Sequence, residues 1–230
     1  MSPPRIATKI CGLSTPQAVS AALDGGAAYL GFVFFDRSPR NIDLLDAARL
    51  AEPARGRAQI VAVTVDPSDA LLDRIETTLN PDLIQLHGKE PAERVRAVGV
   101  RTGAKTIKAM SISTSADLDA AARYEGAADH LMFDAKPPED AVIPGGTGAR
   151  FDWSLMIGRR FVRPWFLAGG LDPWNVAEAI ALSGAPAADV SSGVERGPGL
   201  KDPALITAFL DAVRRRSEEH TSELQSRAYL

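Results

Sequence analysis

The sequence contains a single cysteine, Cys11, among its 230 residues. One cysteine excludes an intramolecular disulfide and fits a reducing compartment, so we expect a cytoplasmic protein. No stretch of about 18 consecutive apolar residues is present, which argues against a transmembrane helix and a membrane partner. The first residues, MSPPRIATKICG, lack the cationic segment and following apolar stretch that typify a secretory signal.

The sequence also lacks an excess of positive charge and the common motifs of metal and hydrolase sites. Its formal net charge is -3 and its pI is about 5.7, so we expect no nucleic-acid partner, because domains that bind nucleic acids are usually basic. There is no Cys/His cluster and no HExxH pattern, so we expect no metal. The G-x-S-x-G elbow of the α/β hydrolases is missing as well.

Short apolar runs alternate with amphipathic helical patterns along the chain. The runs begin at Ala7, Tyr29, Gln59, Leu83, Thr106, His130, Pro164 and Ala187. Most are continuously apolar, as expected for parallel strands that are covered on both faces. Eight βα units in this length predict a single (β/α)8 TIM barrel, with a doubly wound parallel sheet as the alternative.

We assign residues 1–215 to the barrel domain and residues 216–230 to a polar tail. The final helix is expected to end near AVRRR. The segment RSEEHTSELQS that follows is similar to the translation of a sequencing-adapter oligonucleotide, so we expect a tail that is artefactual in origin or disordered and that carries no chemistry. The sixth helix, around DWSLMI, is expected to be short.

Chemically capable side chains gather where the predicted strands end, which is where TIM barrels build their active sites. These residues are Lys9, Cys11, Arg37, Arg40, Asp66, His87, Lys108, Asp134 and Asp189. The loops after strands six, seven and eight are rich in glycine. Because clustered glycines let backbone N–H groups approach an anion closely, a phosphorylated small molecule is the expected ligand.

Several of these residues also have a purely structural interpretation. A lone cysteine in an apolar strand is by base rate inert core, and composition alone favours that interpretation of Cys11. Asp134 could cap a loop, and His87 could be a hydrogen-bonded residue at a strand end. Asp66 precedes a proline and fits a turn or a helix cap. Asp189 is expected to brace a backbone rather than to act as an acid.

Seven segments are similar to the phosphoribosylanthranilate isomerase family of tryptophan biosynthesis. They are KICGLSTPQAV, GFVFFDRSPRNI, IQLHGKE, FDAKPP, GGTGARFDW, LAGGLDPWNV and DVSSGVERGPGLKD, in the family's order and within residues 5 to 212. The resemblance implies an Amadori rearrangement of N-(5-phosphoribosyl)anthranilate to 1-(2-carboxyphenylamino)-1-deoxyribulose 5-phosphate. It also implies that the reaction needs no cofactor and no metal.

The resemblance assigns a role to each matching residue. Cys11 would be the general base that removes the C2 proton of the sugar, and Asp134 the general acid that protonates the ribose ring oxygen. Arg40, otherwise a solvated loop charge, would hold the anthranilate carboxylate. His87 would line the substrate pocket or hold Cys11 or a loop. The phosphate would be bound through main-chain donors of the glycine segments, at Gly145, Gly146, Gly169, Gly170, Ser192 and Gly193.

A free thiol titrates near 8.5, so only a small fraction of it is thiolate at neutral pH. Lys9 precedes Cys11 by two residues, and the period of two in a strand directs both side chains to the same face. We therefore hypothesise that Lys9, as part of the substrate site, stabilises the thiolate electrostatically.

Two competing functions remain open at this point. A related sugar-phosphate isomerase of histidine biosynthesis would carry an aspartate at the end of strand one, where this chain has Cys11. A catalytically idle barrel that only binds phosphosugars would not need both Cys11 and Asp134. The expected oligomeric state is a monomer or a homodimer.

Overall fold

Eight parallel strands close into a barrel in sequence order. The computed structural model describes residues 6–136, 145–146 and 148–228, with side chains described up to residue 218. The strands are β1 (Ala7–Cys11), β2 (Tyr29–Phe34), β3 (Gln59–Thr64), β4 (Leu83–Leu86), β5 (Lys105–Ile112), β6 (His130–Ala135), β7 (Trp165–Leu167) and β8 (Ala187–Val190). The predicted (β/α)8 barrel is confirmed. The doubly wound alternative is wrong, because β1 pairs with β8 through Thr8 and Ala188.

Helices alternate with the strands along the chain. They are α1 (Pro16–Asp24), α2 (Leu44–Ala51), α3 (Asp69–Leu79), α4 (Ala92–Thr102), α5 (Ser115–Asp119), α6 (Val176–Ser183) and α7 (Pro203–Ala228). Thr15 caps α1, because its hydroxyl accepts a hydrogen bond from the Ala18 N–H. Among the helices described, none combines the length and the apolar character that crossing a membrane requires.

The sixth βα connection has no α-helix among its described residues. It contains one 3-10 turn, Trp153–Met156, so the expected short helix is reduced to a turn. Aromatic rings cover this side of the barrel: the ring of Phe161 lies 4.5 Å from that of Phe133 and 5.6 Å from that of Trp165, measured between centroids. Phe161 thus packs against aromatic side chains of β6 and β7 in the connection that has no described α-helix.

Two segments near the carboxyl terminus differ from expectation. After β8 the chain forms a small antiparallel hairpin of β9 (Glu195–Gly197) and β10 (Leu200–Lys201), which the sequence analysis treated as a loop. The final helix does not end near Arg216 but continues to Ala228, because residues 217–228 contain no proline or glycine to stop it. The domain boundary at residue 216 stays a prediction, and residues 229–230 lie outside the described residues.

The apolar core has two parts, one between the strands and the surrounding helices and a smaller one inside the barrel. The inner cluster comes from alternate strand residues, since side chains of a strand alternate between its faces. Its buried members are Cys11, Val33, Val61, Val63, Leu83, Ile107, Ala109, Met132, Phe166, Ala168 and Ala187. Buried polar side chains on the same strands, among them Lys9, Gln85, Asp134 and Asp189, interrupt this apolar interior and mark the candidate site.

Candidate active site

The loops that follow the strands surround a cleft. Small-molecule sites typically combine apolar walls with a few convergent polar groups. Here the polar lining residues are Cys11, Ser38, Arg40, Gln85, His87, Asp134, Asp189, Ser191 and Ser192. The cleft therefore collects most of the side chains that the sequence analysis selected.

Cys11 ends β1 inside the barrel, next to the ammonium group of Lys9. Gly31 lies opposite Cys11 in β2, and a Cβ at that position would lie 3.2 Å from Lys9 Nζ and 3.3 Å from Cys11 Sγ. The glycine therefore leaves the space in which the two side chains meet. Lys9 Nζ also donates a hydrogen bond to Asp189 Oδ1 at 2.8 Å, so Asp189 pairs with a side chain and the expected backbone brace is wrong.

Charge and burial act on the Cys11 thiol in opposite directions. Burial raises the pKa of Cys11, and the Asp189 carboxylate adds to the rise, whereas Lys9 and Lys201 lower it without cancelling the increase. Burial lowers the pKa of Lys9, but its interactions with Asp189 and Cys11 outweigh that effect, so the pKa is raised and the ammonium stays protonated. The resting residue is therefore a thiol that has a permanent cation beside it.

Asp134 is the penultimate residue of β6, and its carboxylate lies next to the imidazole of His87. Asp134 Oδ1 accepts a hydrogen bond from the Ala135 N–H at 2.8 Å, and Oδ2 lies 3.2 Å from His87 Nε2, close enough for an ion pair but without hydrogen-bond geometry. Gln85 Nε2 lies 3.1 Å from His87 Nδ1. When this amide donates to Nδ1, the ring hydrogen is on Nε2, the nitrogen nearest the carboxylate.

Arg40 is buried and held by a carboxylate that the sequence analysis did not select. Its Nε and Nη2 donate to Glu195 Oε1 and Oε2 at 2.7 and 2.9 Å, and Nη2 also donates to the Gly146 carbonyl at 3.1 Å. Glu195 Oε1 accepts a further hydrogen bond from Lys201 Nζ at 2.6 Å. The interpretation of Arg40 as a solvated loop charge is wrong, since its side chain is 6% exposed.

The predicted glycines differ in what they contact and in whether they line the cleft. Gly145 is next to Asp134 and His87, and Gly146 is next to Arg40, because a Cβ on either glycine would lie within 3 Å of those side chains. Gly169 and Gly170 have positive φ angles and line the cleft together with Ser192. Gly193 does not line it: a Cβ there would lie 1.9 Å from the Leu171 carbonyl oxygen, against which Gly193 packs.

No group of three or more metal-ligating side chains occurs in the part of the chain that the structure describes. The chemically capable groups that line the cleft are instead a thiol, two carboxyls, an imidazole and a guanidinium on separate strands and loops. Such a set can move protons and bind anions.

The sequence profile of N-(5'-phosphoribosyl)anthranilate (PRA) isomerase matches residues 8–212. This chain belongs to the PRA isomerase family. It is 69% identical to the N-(5'-phosphoribosyl)anthranilate isomerase of Caulobacter vibrioides over 208 residues. This match covers 90% of this chain and 95% of that protein. The expected family and enzyme class are confirmed.

Solved structures of PRA isomerases have the same fold. The crystal structure of the Thermotoga maritima enzyme matches with a TM-score of 0.82 and 34% identity, over 91% of this chain and 99% of that one. A PRA isomerase in complex with reduced 1-(o-carboxyphenylamino)-1-deoxyribulose 5-phosphate matches with a TM-score of 0.79 and 32% identity. The match covers 91% of this chain and 99% of that one.

Within this family member, sequence reasoning missed Gln85, Glu195 and Lys201. Gln85 lies in the apolar run of β4, where an inward-facing amide is a signal that the period of two could have shown. Glu195 and Lys201 lie in the DVSSGVERGPGLKD segment, and their proximity depends on the β9–β10 hairpin. Residues 137 and 138 of the FDAKPP segment lie outside the described residues.

Proposed function

We propose that Cys11 and Asp134 carry out the acid–base chemistry by which this enzyme isomerises N-(5'-phosphoribosyl)anthranilate in tryptophan biosynthesis. The observation that carries the proposal is that the thiol and the carboxyl line one cleft, each at the carboxyl end of its own strand. An aldose-to-ketose rearrangement requires one group that gives a proton and one that takes a proton. These two side chains supply both.

The reaction proceeds in balanced proton transfers. Asp134 gives its proton to the ribose ring oxygen, the C1–O bond breaks, and the anthranilate nitrogen supplies the electron pair that forms an iminium with C1. Cys11 first loses its thiol proton to solvent, because the resting residue is a thiol. The thiolate then takes the proton from C2, and the C–H electrons form the C1–C2 double bond of an enamine while the iminium electron pair returns to nitrogen. The Cys11 thiol then gives its proton to C1, and the C2 hydroxyl gives its proton to the Asp134 carboxylate. This yields the ketone, 1-(2-carboxyphenylamino)-1-deoxyribulose 5-phosphate, and restores the thiolate and the protonated carboxyl.

The surrounding residues support both proton transfers. Lys9 stabilises the Cys11 thiolate, since its buried ammonium lies next to the sulfur and lowers the pKa of the thiol. His87 positions the Asp134 carboxyl from 3.2 Å, and Gln85 in turn orients the imidazole. We assign His87 this positioning role, which the sequence left open.

The two ends of the substrate are both anionic, and the cleft offers a different receptor for each. Arg40 binds the anthranilate carboxylate through a guanidinium that already lies at the cleft wall. Main-chain N–H groups of the glycine segments bind the phosphate, supported by the positive φ angles of Gly169 and Gly170 and by the position of Ser192. Phosphate binding by Gly145, Gly146 and Gly193 stays a prediction. The contacts of these glycines with other residues do not favour it.

We further propose a cytoplasmic enzyme that acts on this phosphorylated small molecule as a monomer or a homodimer. The single cysteine fits a reducing compartment. No cofactor and no metal enter the proposed reaction, because proton transfer alone balances it.

Turnover of synthesised N-(5'-phosphoribosyl)anthranilate, followed through the fluorescence of the anthranilate ring, tests this function. We expect a time-dependent fluorescence change that scales with enzyme concentration and no turnover of the aminoaldose phosphate of histidine biosynthesis. Binding of the substrate without a fluorescence change over time would indicate the idle barrel, and turnover of the histidine-pathway substrate alone would indicate the other isomerase.

A further inference from the structure

Glu195 lies between two buried cations. It takes two hydrogen bonds from Arg40, at 2.7 and 2.9 Å, and one from Lys201, at 2.6 Å. The side chains of Arg40, Glu195 and Lys201 are 6%, 3% and 0% exposed, so water contributes little to their solvation. Charges removed from water in this way must be paired and hydrogen-bonded, and the three form one connected group of net charge +1.

The carboxylate remains ionised in this group. Burial raises the pKa of Glu195, but the hydrogen bonds and charges of Arg40 and Lys201 outweigh that effect and hold the pKa below its ordinary value. Glu195 is therefore an anion at neutral pH, and its charge compensates one of the two cations. The group keeps one net positive charge, and its member Arg40 lines the cleft that would receive a carboxylate.

The geometry fixes the direction of the guanidinium. Glu195 accepts from Nε and Nη2 of Arg40, which together form one edge of the planar group. Nη1 of Arg40 has no hydrogen-bond partner among the described residues. It lies next to Gly146, because a Cβ added to that glycine would be 2.6 Å from Nη1. The edge that Glu195 occupies is thus separate from the Nη1 end that remains for a substrate anion.

The hairpin fixes Glu195 itself. Its Oε2 accepts a hydrogen bond from the Gly199 N–H at 3.1 Å, across the turn between β9 and β10. The same turn packs closely against the loop of Arg40, since a Cβ at Gly199 would lie 2.3 Å from the Pro39 carbonyl oxygen. Lys201 connects the group to the loop after β8, because its Nζ donates to the Ser191 carbonyl at 2.9 Å.

We propose that Glu195 is a positioning residue that presents Arg40 to an aryl carboxylate and so sets the enzyme's preference for carboxylated substrates. The proposal rests on the role of Arg40 given under the proposed function. Glu195 holds the guanidinium from the side opposite the substrate and keeps it rigid. The binding energy of the carboxylate is then not spent on ordering a long flexible side chain.

The test compares two stable ligands in binding titrations. One is reduced 1-(o-carboxyphenylamino)-1-deoxyribulose 5-phosphate, and the other is the same compound without the ring carboxylate. The ratio of their Kd values is the carboxylate selectivity. For Glu195→Gln we expect this selectivity to fall about tenfold or more, because a charge-assisted pair has been lost, while the ligand without the carboxylate binds as tightly as before.

Controls separate the outcomes. Glu76→Gln changes an exposed glutamate of α3 and should leave both ligands unaffected. Arg40→Ala should abolish the selectivity, and unchanged selectivity in that variant would refute the proposed role of Arg40. If Arg40→Ala loses the selectivity but Glu195→Gln retains it, or weakens both ligands equally, the inference about Glu195 alone is overturned.

A second variant covers the case in which Glu195→Gln does not fold. Glu195→Asp keeps the negative charge, but the aspartate side chain is too short to accept hydrogen bonds from Nε and Nη2 of Arg40 and from Nζ of Lys201 at the same time. We expect it to have a selectivity between those of the wild type and Arg40→Ala. A selectivity equal to that of the wild type would overturn the proposal.

Discussion

The ammonium of Lys9 lies 2.8 Å from the carboxylate of Asp189 inside the barrel, and the thiol of Cys11 lies beside it. Both members of this ion pair are buried, with 0% and 9% of their side chains exposed. They influence the thiol in opposite directions, because Lys9 lowers the pKa of Cys11 and Asp189 raises it. The pair therefore controls how much thiolate is present at a given pH.

Lys9→Met and Asp189→Asn should move the pH dependence of kcat/KM in opposite directions. Loss of the Lys9 cation leaves Cys11 harder to ionise, so the ascending limb of the profile, which reports ionisation of the base, moves to higher pH. Loss of the Asp189 anion makes Cys11 easier to ionise, so the same limb moves to lower pH. Lys105→Met, at an exposed position that starts β5, is the matched control. An unchanged profile in both test variants would refute the role of the pair.

Gly31→Ala should reduce activity more than stability. The added methyl group would lie 3.1 to 3.3 Å from Cys11 and Lys9 and would displace one of them. A misplacement of about 1 Å near reacting atoms costs about 10²-fold in rate, so we expect the smaller shift required here to lower kcat/KM by up to about tenfold. Gly126→Ala is the control, because its Cβ would meet nothing within 4 Å. Equal activity of the two variants in steady-state assays would contradict the tight packing around Cys11.

The stability of the protein should decrease as the pH falls below about 6.5, the value of a free histidine. His130 starts β6, and its Nδ1 is buried without a hydrogen-bond partner among the described residues. Burial lowers its pKa, with Lys105 and Arg163 acting in the same direction and Asp129 against them. The folded state thus binds fewer protons than the unfolded state, and stability is lost as the unfolded form takes up a proton.

Urea unfolding at pH 7.5 and pH 5 measures this effect. The wild type should lose more of its free energy of unfolding between the two pH values than His130→Phe, which has no imidazole to protonate. Identical losses in the two proteins would show that His130 does not contribute.

The barrel was predictable because its signals are local. Continuous apolar runs such as YLGFVF and QIVAVT correspond to β2 and β3, and the Thr15 cap and Pro16 mark the start of α1. The shared face of Lys9 and Cys11 follows from the period of two.

Contacts between distant segments were not predictable in the same way. Glu195 and Arg40 are 155 residues apart, and they meet only because the barrel closes and the β9–β10 hairpin turns back toward β2. Composition could not show that Asp189 would pair with Lys9, since strands β1 and β8 become neighbours only in the closed barrel. The sequence could identify the chemical groups of the site but not the pairing of its charges.

The central claim, that Cys11 is the base and Asp134 the acid, is tested most directly by the turnover number of Cys11→Ala and Asp134→Asn. Anthranilate fluorescence is followed at saturating substrate, with binding of the reduced product analogue as the control for folding. We predict that kcat falls by at least about 10²-fold in each variant, as expected for loss of a proton-transfer group, while binding of the analogue is retained. Full activity in either variant would contradict the account.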